Sequence, residues 1–237
     1  MAGSAHKQLD VGDVFYTLAE DLKTPLVRIA YKAELAANSH KNIPEIQQTV
    51  ASTLQLIDAY LLGVRSKHQQ SLVFEPVSPS AVIADAAFGL KDIAKKFSCQ
   101  VLIDVPHGGG AFALTHRGSL QAALTAVGRV FIEAQDTLQA KKRTITLSSY
   151  KTTHGFAIGI FCSNEGMHIN TQLLSQARSH VGKAARPYVG FASGASSQLF
   201  VAEQLARSLQ TVLRSARRGK LTGLVVDLQP TTQLTLV

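Results

Sequence analysis

A chain of 237 residues that is 46% hydrophobic and 17% charged, without a tryptophan, can bury one sizeable core plus a smaller module and is too apolar to be a disordered segment. No apolar run approaches the roughly 20 residues of a membrane helix, and the opening Met-Ala-Gly-Ser-Ala-His-Lys-Gln has no apolar secretory core, so a cytoplasmic location without membrane contact is expected. The formal charge of +8 lies in the second part: residues 1–70 hold 7 Lys/Arg against 7 Asp/Glu, and residues 71–237 hold 17 against 9, a break that suggests two modules.

In residues 1–70, apolar side chains fall at Val11, Phe15, Leu18, Leu22, Leu26, Ile29, Ala33 and Ala36. These alternating steps of three and four predict a long helix with a coiled-coil seam. Polar residues at 38–44 interrupt it. Ile43, Ile46, Val50, Leu54, Ile57, Leu61 and Val64 resume the pattern and predict a second, antiparallel helix to about Ser66. Two helices cannot cover such a seam alone, so a homodimer forming a four-helix bundle is expected. Pro25 lies inside the first helix, where it removes a backbone donor and should bend the chain.

A polar linker at 66–71 leads into residues 71–237. Residues 72–77 read as an edge strand interrupted by Pro76, and Ser80 as the cap of a helix at 81–97 with apolar Val82, Ile83, Ala86, Leu90, Ile93 and Phe97. A strand at 99–105, a turn at 106–110 and an extended segment at 111–115, read together as a strand pair, precede a helix from Ser119 to about Ala134. Strands at 144–150 and 156–162 follow, then a short helix near 171–178, a glycine-rich loop, a helix at 197–209 and strands at 212–216 and 223–228. The expected class is α+β: a helical hairpin followed by a helix layer on a mixed sheet. The basic clusters Lys141-Lys142-Arg143 and Arg214 to Lys220 lack interleaved aromatics that could stack on bases. They read as solvated turns, the other reading being a surface for an acidic protein or nucleic acid.

Residues 20–26, Glu20-Asp21-Leu22-Lys23-Thr24-Pro25-Leu26, resemble the His-Glu-Leu-Lys-Thr-Pro-Leu pattern of the sensor histidine kinase dimerisation hairpin, six of seven positions being identical or chemically close. Glu20 stands where the family's phosphorylated histidine would be. Autophosphorylation requires a ring nitrogen to attack the γ-phosphate of ATP, so the resemblance implies a hairpin that has lost this step. The plain reading of Glu20 is an exposed residue of good helix propensity. Asp21 and Thr24 retain a spacing that in the family supports dephosphorylation of the response regulator. Three apart on one helix face, a carboxylate and a hydroxyl could together meet a phosphoaspartate. The same spacing arises by chance, and a threonine before proline also suits a local backbone bond.

The element order of residues 71–237 resembles the family's ATPase domain, so the resemblance covers nearly the whole chain. Its nucleotide motifs are eroded. Residues 120–132 align with the asparagine box and put Ala126 and Val130 where two asparagines would stand, the second of which holds magnesium in the family. Valine offers no oxygen to a hard cation. Asn164-Glu165-Gly166-Met167-His168 takes the place of Asp-x-Gly-x-Gly: Gly166 is kept, and Asn164 replaces the carboxylate that accepts from adenine. The glycine-rich lid becomes Gly194-Ala195-Ser196-Ser197-Gln198-Leu199, with Ser196 and Gln198 crowding a path that phosphates take only where side chains leave room. Gln210 and Thr211 replace a further glycine pair.

The resemblance therefore implies a degenerate member, a pseudokinase without ATP or magnesium, that homodimerises and regulates a response regulator or a partner kinase by binding. The alternative is a response-regulator phosphatase using Asp21 and Thr24. An active ATP-dependent kinase is the remaining reading. Other chemistry finds no footing: Cys99 and Cys162, without CxxC spacing, read as buried small hydrophobes, and the eight histidines show no metal-binding spacing and default to the surface.

Overall fold

The computed structural model describes residues 72–106, 112–153, 155–163 and 195–231, together with helical positions at 22, 25–29, 31–34, 43, 46, 50, 53, 54, 57, 174 and 175. Among the described residues no helix is long and apolar enough to cross a membrane.

Strand β1 (Glu75–Val77) is shorter than the expected 72–77 and precedes helix α1 (Pro79–Lys96). Ser80 is not the cap: the helix starts at Pro79, where a missing N–H is no loss, and Ser78 holds the N-cap position. The Ser78 hydroxyl bonds the Ser80 hydroxyl at 2.8 Å instead of a backbone N–H. Lys95 and Lys96 in the last turn complement the helix dipole. Strands β2 (Gln100–Asp104) and β3 (Ala113–Thr115) then lead into α2 (Arg117–Thr137).

The expected pairing of the segments at 99–105 and 111–115 does not occur. β3 pairs antiparallel with β1 in a separate two-stranded ladder, and β2 lies parallel to β4 (Thr144–Thr152). A parallel pair needs a long crossover, which α2 supplies. Strand β5 (Gly155–Ser163), helix α3 (Ala195–Ser208) and strands β6 (Arg214–Arg218) and β7 (Leu221–Leu228) complete the order. The five-stranded sheet runs β2-β4-β5-β7-β6, antiparallel at every pair but the first, so it is mixed as the sequence predicts.

Alternation along the strands sends Ile145 and Leu147 of β4, Ile158, Ile160 and Cys162 of β5, and Leu224, Val226 and Leu228 of β7 into one core. The same core takes Val82, Ile83, Ala86 and Leu90 from α1, Leu120, Val127 and Phe131 from α2, and Leu199, Ala202 and Leu205 from α3, which places the helix layer on this face. α2 lies between α1 and α3 and packs on both. Its approach to α1 is close at Gly128, where an added Cβ would stand 2.4 Å from Leu90 Cδ1. Both cysteines are buried and free, as expected.

On the opposite face Ala157, Phe161 and Val225 form a smaller buried group, with Tyr150, Ala216 and Leu221 packed around it. Arg218, at the end of one edge strand, pairs with Asp104 at the end of the other at 2.6 Å, bonds Ser148, and lies 5.8 Å from the Tyr150 ring centroid. The second basic cluster is thus only in part a solvated turn: Gly219 and Lys220 form an exposed turn, while the arginines before them lie on a strand. Arg214, Arg217 and Arg218 belong to strand β6, two positions later than the expected 212–216, and Arg214 grips Asp227 with two bonds of 2.5 and 2.7 Å. In the first cluster Arg143 pairs with Asp136 at 2.6 Å and bonds the Phe97 carbonyl at 2.9 Å, while Lys141 and Lys142 are exposed.

Candidate functional site

Ala126 and Val130 sit four residues apart on α2 and so share one face. That face is turned into the core: the two are 4% and 1% exposed, in the cluster that includes Leu199, Phe200 and Ala202 of α3. Gln198, in the first turn of α3, buries its Oε1 without a hydrogen-bond partner among the described residues, a desolvated acceptor where the resemblance places a lid glycine. Ser196 lies within α3, but its side chain is outside the described residues. Asn164, Gly166 and Gly194 are outside them too, as are Glu20, Asp21 and Thr24 of the expected hairpin. The structure therefore brings together the positions of the asparagine box and the helix that follows the lid.

Several polar side chains that the sequence reading passed over fix these helices. His116 is no ordinary surface histidine: its Nδ1 accepts the Ser119 backbone N–H at 3.2 Å and lies 2.9 Å from the Ser119 hydroxyl, so the ring caps α2. At the other end, buried Gln135 spans the turn into β4. Its Nε2 donates to the Thr144 carbonyl at 3.0 Å, and its Oε1 accepts the Thr144 N–H at 2.7 Å. Glu203 on α3 is fully buried; it accepts from Arg207 Nε at 3.1 Å and from the Leu213 N–H at 3.2 Å, tying the helix to the entry of β6. An acidic residue within the apolar run of residues 199–206 was the available signal.

Arg129 and Glu133 lie beside Val130 on the partly covered side of α2. Burial raises the Glu133 carboxyl, opposed by the charges of Arg129, Arg28 and Lys96. Burial lowers the Arg129 guanidinium, opposed by Glu133. Arg28 belongs to the N-terminal helical residues, and Leu22 packs against the same core, so this segment meets the helix layer. Among the described residues of the apolar pattern, Leu26 and Leu54 are each 55% exposed and Ile43 and Val50 are also open, while Ile29, Ile46 and Ile57 are half-buried.

Among the described residues, a mixed five-stranded sheet with three helices on one face, a short accessory ladder and helical residues ahead of it match the fold of sensor histidine kinase catalytic regions. The chain is similar in fold to the Acinetobacter baumannii histidine kinase AdeS, with a TM-score of 0.58 and 12% identity over 88% of this chain and 96% of that one. It is also similar to full-length ShkA in complex with AMPPNP, with a TM-score of 0.53 and 11% identity over 81% of this chain and 40% of that one. No protein-family model matches the sequence, and no curated protein matches it.

Proposed function

We propose that the chain is a two-component signalling protein, a cytoplasmic pseudokinase that homodimerises through its hairpin and regulates a response regulator or a partner kinase by binding. The observation that carries this reading is the burial of Ala126 and Val130, at 4% and 1% exposure, on the helix aligned with the asparagine box. Neither side chain offers an oxygen to magnesium, and both are committed to the core. Glu20 in place of the histidine, the weakened acceptor Asn164 beside Gly166, and the lid sequence from Gly194 through Ser196 to Gln198 support the same reading, in which ATP and magnesium are not cofactors.

The test is incubation with radiolabelled ATP, magnesium and candidate response regulators. No label is expected in this chain or in a regulator by way of it; label on the chain would overturn the proposal. A second reading rests on the Asp21 to Thr24 spacing and makes the hairpin a phosphatase, with Thr24 orienting water toward a phosphoaspartate. It requires that phosphate leave a phosphorylated regulator faster with the wild-type chain than with Thr24→Ala.

A further inference from the structure

Beyond β7 the chain is bonded to the accessory ladder. The Leu114 N–H donates to the Gln229 carbonyl at 3.1 Å, the Thr231 N–H donates to the Phe112 carbonyl at 2.9 Å, and Ala113 bridges Pro230. The two-stranded ladder is thereby fastened to one end of the five-stranded sheet. Between the two, beside the end of α3, opens a cavity of about 870 Å³. That volume lies in the range of about 300–1,000 Å³ typical of small-molecule sites. It opens beyond the far end of α3 from Gln198, ~16 Å away along the helix at ~1.5 Å per residue, so it lies apart from the lid and asparagine-box positions.

Its walls are set by the fold. The ladder side is held by the backbone bonds just named. The helix side is held by the Gln210 turn, with Gln210 N–H to Arg207 carbonyl at 2.9 Å and Thr211 N–H to Ala206 carbonyl at 3.1 Å, and by Glu203 on the Leu213 N–H. A ligand entering here has little backbone to order, which favours binding.

The lining states the chemistry. Phe74, Leu114, Leu209 and Leu228 present an apolar surface. Thr152, Thr153, Gln210 and Gln229 bring neutral groups that both donate and accept hydrogen bonds. Among the described residues Arg214 and Asp227 are the charged members of the lining, and they neutralise each other through two bonds of 2.5 and 2.7 Å. An anion or cation entering would lose hydration without gaining a free counter-charge, whereas a neutral ligand finds both apolar surface and polar partners. We propose that this cavity binds an uncharged amphipathic small molecule, an apolar ring or chain carrying amide or hydroxyl groups.

The experiment uses the full chain, isotope-labelled, and three probes of one shape and different charge: benzamide, benzoate and benzylammonium, titrated while backbone amide signals are followed. Benzamide is expected to shift Thr152, Leu209, Gln210 and Leu228 saturably, and the two ions to bind at least about tenfold more weakly. Leu114→Lys places a long charged chain in the cavity at a position already 46% exposed, and it should abolish the benzamide shifts while leaving distant signals in place. Thr153→Arg, in the exposed turn after β4, should do the same should the first variant not fold. Absent or unsaturable shifts, equal binding of either ion, or shifts unchanged in the folded variant would each overturn the proposal.

Discussion

A carboxylate with no exposed surface, such as Glu203, is tolerated only where its oxygens are matched. Arg207 and the Leu213 N–H match this one. Glu203→Ala leaves a buried donor unsatisfied and is expected to cost about 3 kcal/mol. Glu203→Gln, which still accepts from Leu213, should lose less; urea denaturation of both variants reads the difference, and equal losses would contradict the assigned bonds. Burial also sets the two thiols, pushing Cys162 up to about 12 and Cys99 up to about 11. In the unfolded chain a thiol ionises near ~8.5, so both groups favour the folded state fully below that pH and lose the contribution as pH rises through their folded values. The wild-type denaturation midpoint should therefore fall more steeply between about pH 8 and about pH 11 than that of Cys99→Ala/Cys162→Ala. Parallel pH profiles would contradict it.

At the scale of elements, the three helices of the layer end alike, each followed by a residue in the left-handed region: Ser98 at φ 50°, Gln139 at φ 49° and Gln210 at φ 59°. Glycine is the residue this conformation favours. Gln139→Gly, in an exposed turn, should raise stability by about 0.5–1 kcal/mol, measured by thermal or urea unfolding, and a loss would contradict the strain argument. These stops carry no glycine or proline, yet their helices were legible, because Val82 to Ile93 and Leu199 to Leu209 repeat at helical spacing. Core strands β5 and β7 were legible for the matching reason, continuous apolar runs bounded by turns. What periodicity could not supply was partnership. Nothing local in the segment of β2 says that it pairs with β4 across α2 and not with its sequence neighbour β3. Nor does local sequence foretell that Arg218 reaches Asp104, since that contact joins the two edge strands of the sheet. Pro76 in β1 was readable as an edge position, while the ring of His116 as a cap was not, histidine being an uncommon choice there. At the candidate site, the identities of Ala126 and Val130 were plain in the sequence; their burial needed the packing of α3 against α2.

At the scale of the whole molecule, strand alternation and helical spacing specify a fold similar to that of histidine kinases at 11–12% identity, and fold alone does not carry a function that rests on a few polar groups. The open seam at Leu26, Ile43, Val50 and Leu54 fits the proposed homodimer, since a second copy would cover it. Light scattering should give twice the chain mass for the wild type and the chain mass for Leu26→Lys/Leu54→Lys; a monomeric wild type would remove that part of the proposal. The central proposal is that the chain binds no ATP or magnesium, Ala126 and Val130 being committed to packing. Calorimetric titration of the full chain with ATP and magnesium tests it most directly. No heat of binding is expected up to millimolar nucleotide, and magnesium-dependent binding at micromolar ATP would contradict the proposal.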